Sequence, residues 1–229
     1  MSQSKKSIRV ATRADMADIG ELRVSEYRRA GEFVVTDVRT LLRDEHDDSD
    51  VILAAWDEAD RVVSTMRGSV VSDRQEAEAL LECSLPVDDS ALPALVLGRA
   101  ATRSDSREAG LNSALRYYFF SFALDAPVRS ILGVVFAQAP RTQLMKSLGY
   151  VFHRPAQTWR REVQAITPHF IACLERSRIP DGRAALRSRV ASTLANYPWQ
   201  GELPRFSLKQ FAPEGSSRAL LCHSLAPPG

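Results

Sequence analysis

The sequence predicts a mixed α/β fold: a central sheet flanked by helices, with a C-terminal extension. Three observations carry this. Strand and helix patterns alternate through the first 166 residues. The run Leu92–Thr102 (LPALVLGRAAT) is apolar apart from Arg99, as a central strand covered on both faces must be. A polar, glycine-bearing loop then opens an amphipathic helix at Gly110.

Taken in order, Ser7–Thr12 reads as a first strand, and Asp15 can cap the helix that follows. Ile19, Leu22, Val24 and Tyr27 give that helix its apolar face, and it ends near Gly31. Residues 32–50 are mixed and close on a dense acidic run, Asp44 to Asp50. Val51–Trp56 and Arg61–Arg67 are the arms of a hairpin turning at Asp57–Asp60. Residues 72–82 suit a short helix and 84–93 a loop. The central strand at 94–102 is followed by the polar loop 103–109 and a helix from Gly110 to Leu124. Ile131–Ala137 is a second buried strand. A helix over 140–148 starts on Pro140 and ends at Gly149, each where that residue is tolerated. Tyr150–His153 and Trp159–Ile166 read as final strands. The domain is expected over 1–166. The extension, 167–229, is expected to be partly helical, with candidates around 168–176 and 183–195.

The chain has 229 residues, 45% hydrophobic and 25% charged, with a formal net charge of +2, so overall charge names no partner. Cys83, Cys173 and Cys222 are far apart and odd in number, with neither zinc-ligand spacing nor a disulfide framework. No metal is expected, and reduced thiols point to a cytoplasmic setting. The N-terminus lacks the apolar core of a signal peptide. No run approaches the roughly 20 apolar residues of an integral membrane segment.

The informative unit is the strand 94–102, ending on Ala101 and Thr102, followed by Arg107-Glu108-Ala109-Gly110-Leu111-Asn112 and a helix. A glycine turn entering a helix exposes unpaired N–H groups at its positive dipole end. That arrangement suits a phosphate or pyrophosphate. Arg107 adds a full charge, and Gly110 lets the backbone approach closely.

This segment resembles the R/Q-x-x-G-x-G/A signature of GNAT acyltransferases, with Asn112 where a small residue is usual. Ala137–Phe152 (AQAPRTQLMKSLGYVF) resembles the second signature of that superfamily, in the same order and at similar spacing. The resemblance implies a GNAT-like sheet. It also implies an acyl-CoA or acyl-phosphopantetheine co-substrate held by Ala101, Thr102, Arg107, Ala109, Gly110, Leu111 and Asn112. Within the superfamily, the N-terminal half is similar to acyl-homoserine lactone synthases and long-chain N-acyl amino acid synthases. Arg23, Asp44, Asp47, Arg67 and Arg99 match their first-helix Arg, D-x-x-D cluster, GT-x-R-like strand end and E-x-x-R strand. Val96 replaces the Glu of that last motif, and Leu42 replaces an acid ahead of the D-x-x-D.

These losses are easier to reconcile with a carboxylate-bearing acceptor, such as an amino acid, than with a cationic one. The resemblance thus implies acyl transfer to the amine of an amino acid or similar small molecule. Arg23 is then expected to bind the acceptor, while Asp44, Asp47, Arg67 and Arg99 serve the chemistry. Arg23, Arg67 or Arg99 could clamp a carboxylate, but a structural ion-pair network among these residues is at least as good a reading. Two alternatives are simple acetyl-CoA-dependent N-acetyl transfer and a non-catalytic GNAT-fold binding protein.

The attacking amine must be neutral, and Asp44 and Asp47 are the candidate bases. His46 lies in the same run. Helix 140–148 offers no Tyr as general acid, and Tyr150 reads as core. Arg176, Arg178, Arg183, Arg187 and Arg189, against Asp181 alone, form a basic segment that could meet an acidic acyl carrier protein. Low net charge and the lack of a binding motif speak against nucleic acid.

Overall fold

The computed structural model describes residues 6–30, 33–35, 37–137, 139, 141–158, 163–165 and 169–204. In chain order its elements are β1 (Ser7–Val10), α1 (Met16–Ala30), β2 (Phe33–Val35), α2 (Val38–Leu42), β3 (Val51–Trp56), β4 (Val62–Val71), α3 (Arg74–Leu81), β5 (Ala94–Thr102), α4 (Leu111–Asp125), β6 (Ser130–Phe136), α5 (Arg141–Ser147), β7 (Val151–His153), β8 (Val163–Ala165), β9 (His169–Glu175) and α6 (Ile179–Asn196).

Seven strands make one sheet in the order β1-β3-β4-β5-β6-β9-β7, and β2 pairs with β8 in a separate two-stranded sheet. Every pairing is antiparallel except β5 with β6, whose crossover runs through α4. The apolar run of β5 is explained by cover on both faces. Leu95 and Leu97 pack with Leu115 and Phe119 of α4, whereas Val96 packs with Ala77 and Leu81 of α3. A third cluster joins Ile19 and Leu22 of α1 to Ile52 and Ala54 of β3. The α5 terminus follows the sequence expectation closely. Gly149 takes φ 92°, the Tyr150 N–H donates to the Met145 carbonyl and the Gly149 N–H to that of Lys146. This is the paired closure of a helix ending on a left-handed glycine.

The C-terminal region differs from its expectation. Residues around 168–176 form not a helix but β9, inserted between β6 and β7 and pairing with β6 from Ser130↔Glu175 to Phe136↔His169. Ile171, Ala172, Cys173 and Leu174 are all buried. A short apolar run buried on both faces has the same pattern as a buried helical turn, so periodicity could not separate them. The expected boundary at 166 therefore falls inside one layered unit, since residues beyond it supply a sheet strand and the helix α6. The strand expected at 159–166 is described only as β8, and it pairs with β2 rather than with the main sheet. Pro140 and residues 205–229 lie outside the described residues.

Gly20 sets the approach of α1 to α2, because a Cβ there would lie 2.5 Å from the Leu42 carbonyl oxygen. In an open helix Gly→Ala would stabilise by about 1 kcal/mol. Here the obstacle is backbone, so overpacking wins. Gly20→Ala should destabilise the fold by about 1–3 kcal/mol in urea unfolding. A stabilised variant would show that the two helices separate freely.

Candidate active site

The site begins where two strands part. β5 and β6 pair only from Ala94↔Ser130 to Leu97↔Gly133, although both strands continue beyond. On its other side β5 carries a bulge. Thr65 faces Ala101 and Arg67 faces Gly98, so Arg99 and Ala100 both stand against Met66. Arg99 takes φ 51°, left-handed for a non-glycine residue. Past Gly98 the backbone groups of β5 that would have met β6 face a cleft of about 970 Å³, whose walls include Val96–Thr102, Gly133, Val134 and Phe136.

The N-terminus of α4 opens on the same cleft through Asn112 and Ser113. Gly110 precedes the helix at φ 70°, and no side chain among the described residues caps it. The first N–H groups are thereby left for another acceptor at the positive end of a 15-residue helix. α6 fixes this turn from behind, since the Thr193 hydroxyl donates to the Ala109 carbonyl at 2.7 Å. A Cβ on Gly110 would lie 3.0 Å from that hydroxyl. Arg107 stands half-exposed at the mouth and donates to Glu26 Oε2 at 3.0 Å. Glu26 is buried and also accepts from the Ser104 N–H.

The acidic run is built as a cap. Asp44 accepts from the N–H groups of His46 and Asp47, while Asp47 Oδ2 accepts from the Asp44 N–H. The D-x-x-D spacing thus closes a reciprocal capping box on a 3-10 turn at Glu45–Asp48. The same carboxylates meet the predicted arginines. Arg23 Nη1 lies 2.7 Å from Asp47 Oδ2, Arg67 Nη1 lies 2.6 Å from Asp44 Oδ1 and 3.2 Å from Asp47 Oδ1, and Arg99 Nη2 lies 2.6 Å from Asp44 Oδ2. Asp50 joins through Arg67 Nε at 3.5 Å and a hydrogen bond from Ser69. Three arginines and three aspartates balance in charge.

This geometry sorts the predicted residues. Asp44, Arg67, Arg99, Ala101, Thr102 and Arg107 line the cleft, as does Asn112. Arg23 and Asp47 do not. Arg23 is 0% exposed, with Nε and Nη2 unpartnered among the described residues, and it braces the network from behind through Asp47. Ala109 and Gly110 shape the turn, and Leu111 is buried in the core. Asp44 is a poor base. Burial alone would raise its pKa, but the hydrogen bonds and charges of Arg67 and Arg99 outweigh this and hold it at about 2. Asp50 moves the other way, its pKa raised by burial against the opposing pull of Ser69 and Arg67. Among the described residues no group of His, Cys, Asp and Glu could hold a metal ion, and no helix is long and apolar enough to cross a membrane.

Sequence reasoning missed Glu26, Arg116 and Thr193. Glu26 had a signal. Ile19, Leu22, Arg23 and Glu26 follow the spacing of a buried helical stripe, so the two charges on it had to be paired inside the protein. Arg116 lies on an otherwise apolar stretch of α4. Thr193 had no signal, because its role depends on the antiparallel packing of α6 on α4.

A mixed sheet with its parallel pair splayed, a bulged central strand and an uncapped helix N-terminus at the splay make up the GNAT acyltransferase fold. Solved structures of that class agree. The CoA-dependent acyl-homoserine lactone synthase BjaI, in complex with SAM and isopentyl-CoA, superposes at a TM-score of 0.55 and 17% identity, over 87% of this chain and 95% of that one. The ribosomal-protein-S5-alanine acetyltransferase of Vibrio fischeri superposes at 0.52 and 11%, over 76% and 95%. No protein-family model matches the sequence, and no curated protein matches it significantly.

The depressed pKa of Asp44 sets a pH dependence. Its stabilisation is fully present above the unfolded value of 3.8 and is lost as pH falls through about 2. The shift is worth about 2 kcal/mol, partly offset by Asp50, whose buried charge is relieved in acid. Asp44→Asn leaves Arg67 and Arg99 underpaired. It should cost about 3 kcal/mol at pH 7 in denaturant unfolding, and the gap to wild type should narrow between pH 4 and pH 2. A constant gap would place the stabilisation elsewhere.

Proposed function

We propose that this protein is an N-acyltransferase that moves an acyl group from a phosphopantetheine thioester, on CoA or a carrier protein, to the amine of an amino acid or similar small molecule. The observation that carries the reading is the convergence of the uncapped α4 N-terminus, Arg107 and the parted ends of β5 and β6 on one cleft. The helix end takes the phosphates. The parted strands admit the extended pantetheine arm, whose amides pair with backbone left unpaired past Leu97. Leu80, Leu81, Val134, Phe136, Leu144 and Met145 supply apolar wall, which favours an acyl chain longer than acetyl.

The thioester carbonyl is polarised by N–H groups at the β5 bulge, where charge develops in the tetrahedral intermediate. The amine attacks as the neutral species and gives its proton to solvent or to His46 or Glu45, both on the cleft wall. The leaving group is a thiolate, far less basic than an alkoxide or amide, so it departs without a tyrosine acid and takes its proton from solvent afterwards. This fits a chain in which Tyr150 is buried in the core. Arg67 and Arg99, both on the cleft wall, are the arginines we assign to an acceptor carboxylate, which would compete with Asp44 for them.

The carrier-protein arm of the proposal rests on fewer residues than the sequence offered. Arg176 donates to the carbonyls of Ala123, Leu124, Ala126 and Val128 and so closes the C-terminus of α4. Arg183 donates to Ser121 and Tyr117 and lies over the Tyr117 ring. Arg178, Arg187 and Arg189 remain exposed on and beside α6, the helix that holds the Gly110 turn. Changing these three to Glu should slow reaction with an acyl carrier protein at least tenfold and leave acyl-pantetheine turnover unchanged. Equal losses in both assays would remove the carrier from the proposal.

The reading is tested by mass spectrometry of lipids from a bacterial host expressing the protein, with Arg107→Ala and Gly98→Val as controls. A Cβ at Gly98 meets nothing within 4 Å, so a side chain there starts into open space on the cleft wall, and the variant's melting temperature checks that the fold is kept. A new N-acyl amino acid should appear with wild type, fall about tenfold with Arg107→Ala and vanish with Gly98→Val. The same species from all three chains would overturn the assignment of the cleft.

A further inference from the structure

Among the described residues five arginines line the cleft, and four are accounted for by protein partners. Arg67 pairs with Asp44, Asp47 and Asp50, Arg99 pairs with Asp44, Arg107 is held by Glu26, and Arg141 donates to the Val134 carbonyl at 3.4 Å. Arg116 differs. It is 5% exposed, on the second turn of α4, one helical turn from Asn112 on the same face. No carboxylate pairs with it among the described residues. Its one hydrogen bond runs from Nη1 to the Tyr150 hydroxyl at 3.4 Å. Burial raises the Tyr150 pKa, so that partner stays neutral.

A guanidinium stays charged at any working pH, and burying one without a counter-charge is costly. A methionine or leucine at this place would pack into the same core with no such cost. The charge also adds to the dipole of the α4 N-terminus, because helical side chains lean toward the N-terminal end of their helix. Two independent sources of positive potential thus face one cleft, and only one of them is a backbone effect.

We propose that Arg116 is a binding residue for an anionic oxygen-bearing group of the cleft's occupant, and that it selects for a negatively charged acyl donor. The inference rests on the acyltransferase reading and deepens it. The group is either a phosphate of the donor's carrier moiety or a carboxylate at the far end of its acyl chain. Both offer the planar or forked acceptors that a guanidinium takes in pairs. The uncharged pantetheine arm cannot supply such a counter-charge. Arg67 and Arg99 differ from Arg116 in already having carboxylate partners.

The experiment compares wild type, Arg116→Met and Arg116→Lys. Calorimetry measures the binding of CoA and of pantetheine, and steady-state turnover is followed with butyryl-CoA and succinyl-CoA. Arg116→Met should melt no lower than wild type, which separates lost recognition from lost folding. If the group is a phosphate, Arg116→Met weakens CoA about 10- to 100-fold and leaves pantetheine unchanged. If it is an acyl carboxylate, CoA binding holds, and kcat/KM falls by a similar factor with succinyl-CoA but not butyryl-CoA. In either case Arg116→Lys recovers part of the loss. Wild type and Arg116→Met alike toward all four compounds would overturn the inference and leave the acyltransferase reading standing. A wild-type chain that binds neither CoA nor pantetheine would overturn both.

Discussion

The constraint on which the site depends is the parting of β5 from β6 after Leu97 and Gly133. Paired backbone is the cheapest state inside a sheet, and unpaired N–H and C=O groups away from water are costly. The protein can hold the strands apart only because each is anchored elsewhere. β5 is held by its long ladder with β4, and β6 by seven residue pairs with β9. The bulge at Arg99 turns the end of β5 further from its old partner. The cleft is therefore a property of the sheet's pairing, and loops merely decorate its rim.

The second structural commitment is electrostatic. Six charged side chains from α1, β4, β5 and the 44–50 segment form a balanced network, and much of it is out of water. Networks of this kind rarely stabilise a fold more than well-packed hydrophobic groups would. Their effect is geometric. Asp44 can satisfy its own capping turn and both arginines only in one position, so the acidic segment is fastened as a wall of the cleft and the Arg99 side chain is fixed across the bulge. The unpartnered Nε and Nη2 of Arg23 show how little room was left for solvation once Asp47 had been engaged. Residues that resemblance assigns to chemistry thus also hold one another in place, and three of them, Asp44, Arg67 and Arg99, do so on the cleft wall.

Much of this was legible in the sequence, and the failures have identifiable causes. The central strand, the Gly110 turn and Gly149 were readable because each rests on local physics: cover on both faces, a left-handed φ, a helix that must stop. The ion pairs were readable as a set, since an arginine in an apolar strand requires an acid. What each pair does was not, because exposure depends on tertiary packing. Arg23 and Arg67 look alike in sequence, yet one is sealed and the other lines the cleft. β9 was misread because an apolar run that short carries no period. Arg116 was passed over on a helix whose other inward positions are apolar, although a charge in that company is the local conflict that marks a functional position.

The arginines of the segment 176–189 act on α4 from behind. In sequence they form one basic segment with one reading. In the fold, Arg176 terminates α4 by collecting four carbonyls, Arg183 packs on Tyr117, and Thr193 of the same helix fixes the Gly110 turn at the other end of α4. The turn at Arg176 and the helix α6 after it therefore clamp α4 at its two termini, and α4 is the element whose N-terminus faces the cleft. Charge at the helix C-terminus and a hydroxyl at its N-terminal turn hold one rod in register, so a segment outside the cleft governs the angle at which the N-terminal end of α4 meets it. The segment expected to be an appendage is in this sense the back wall of the site.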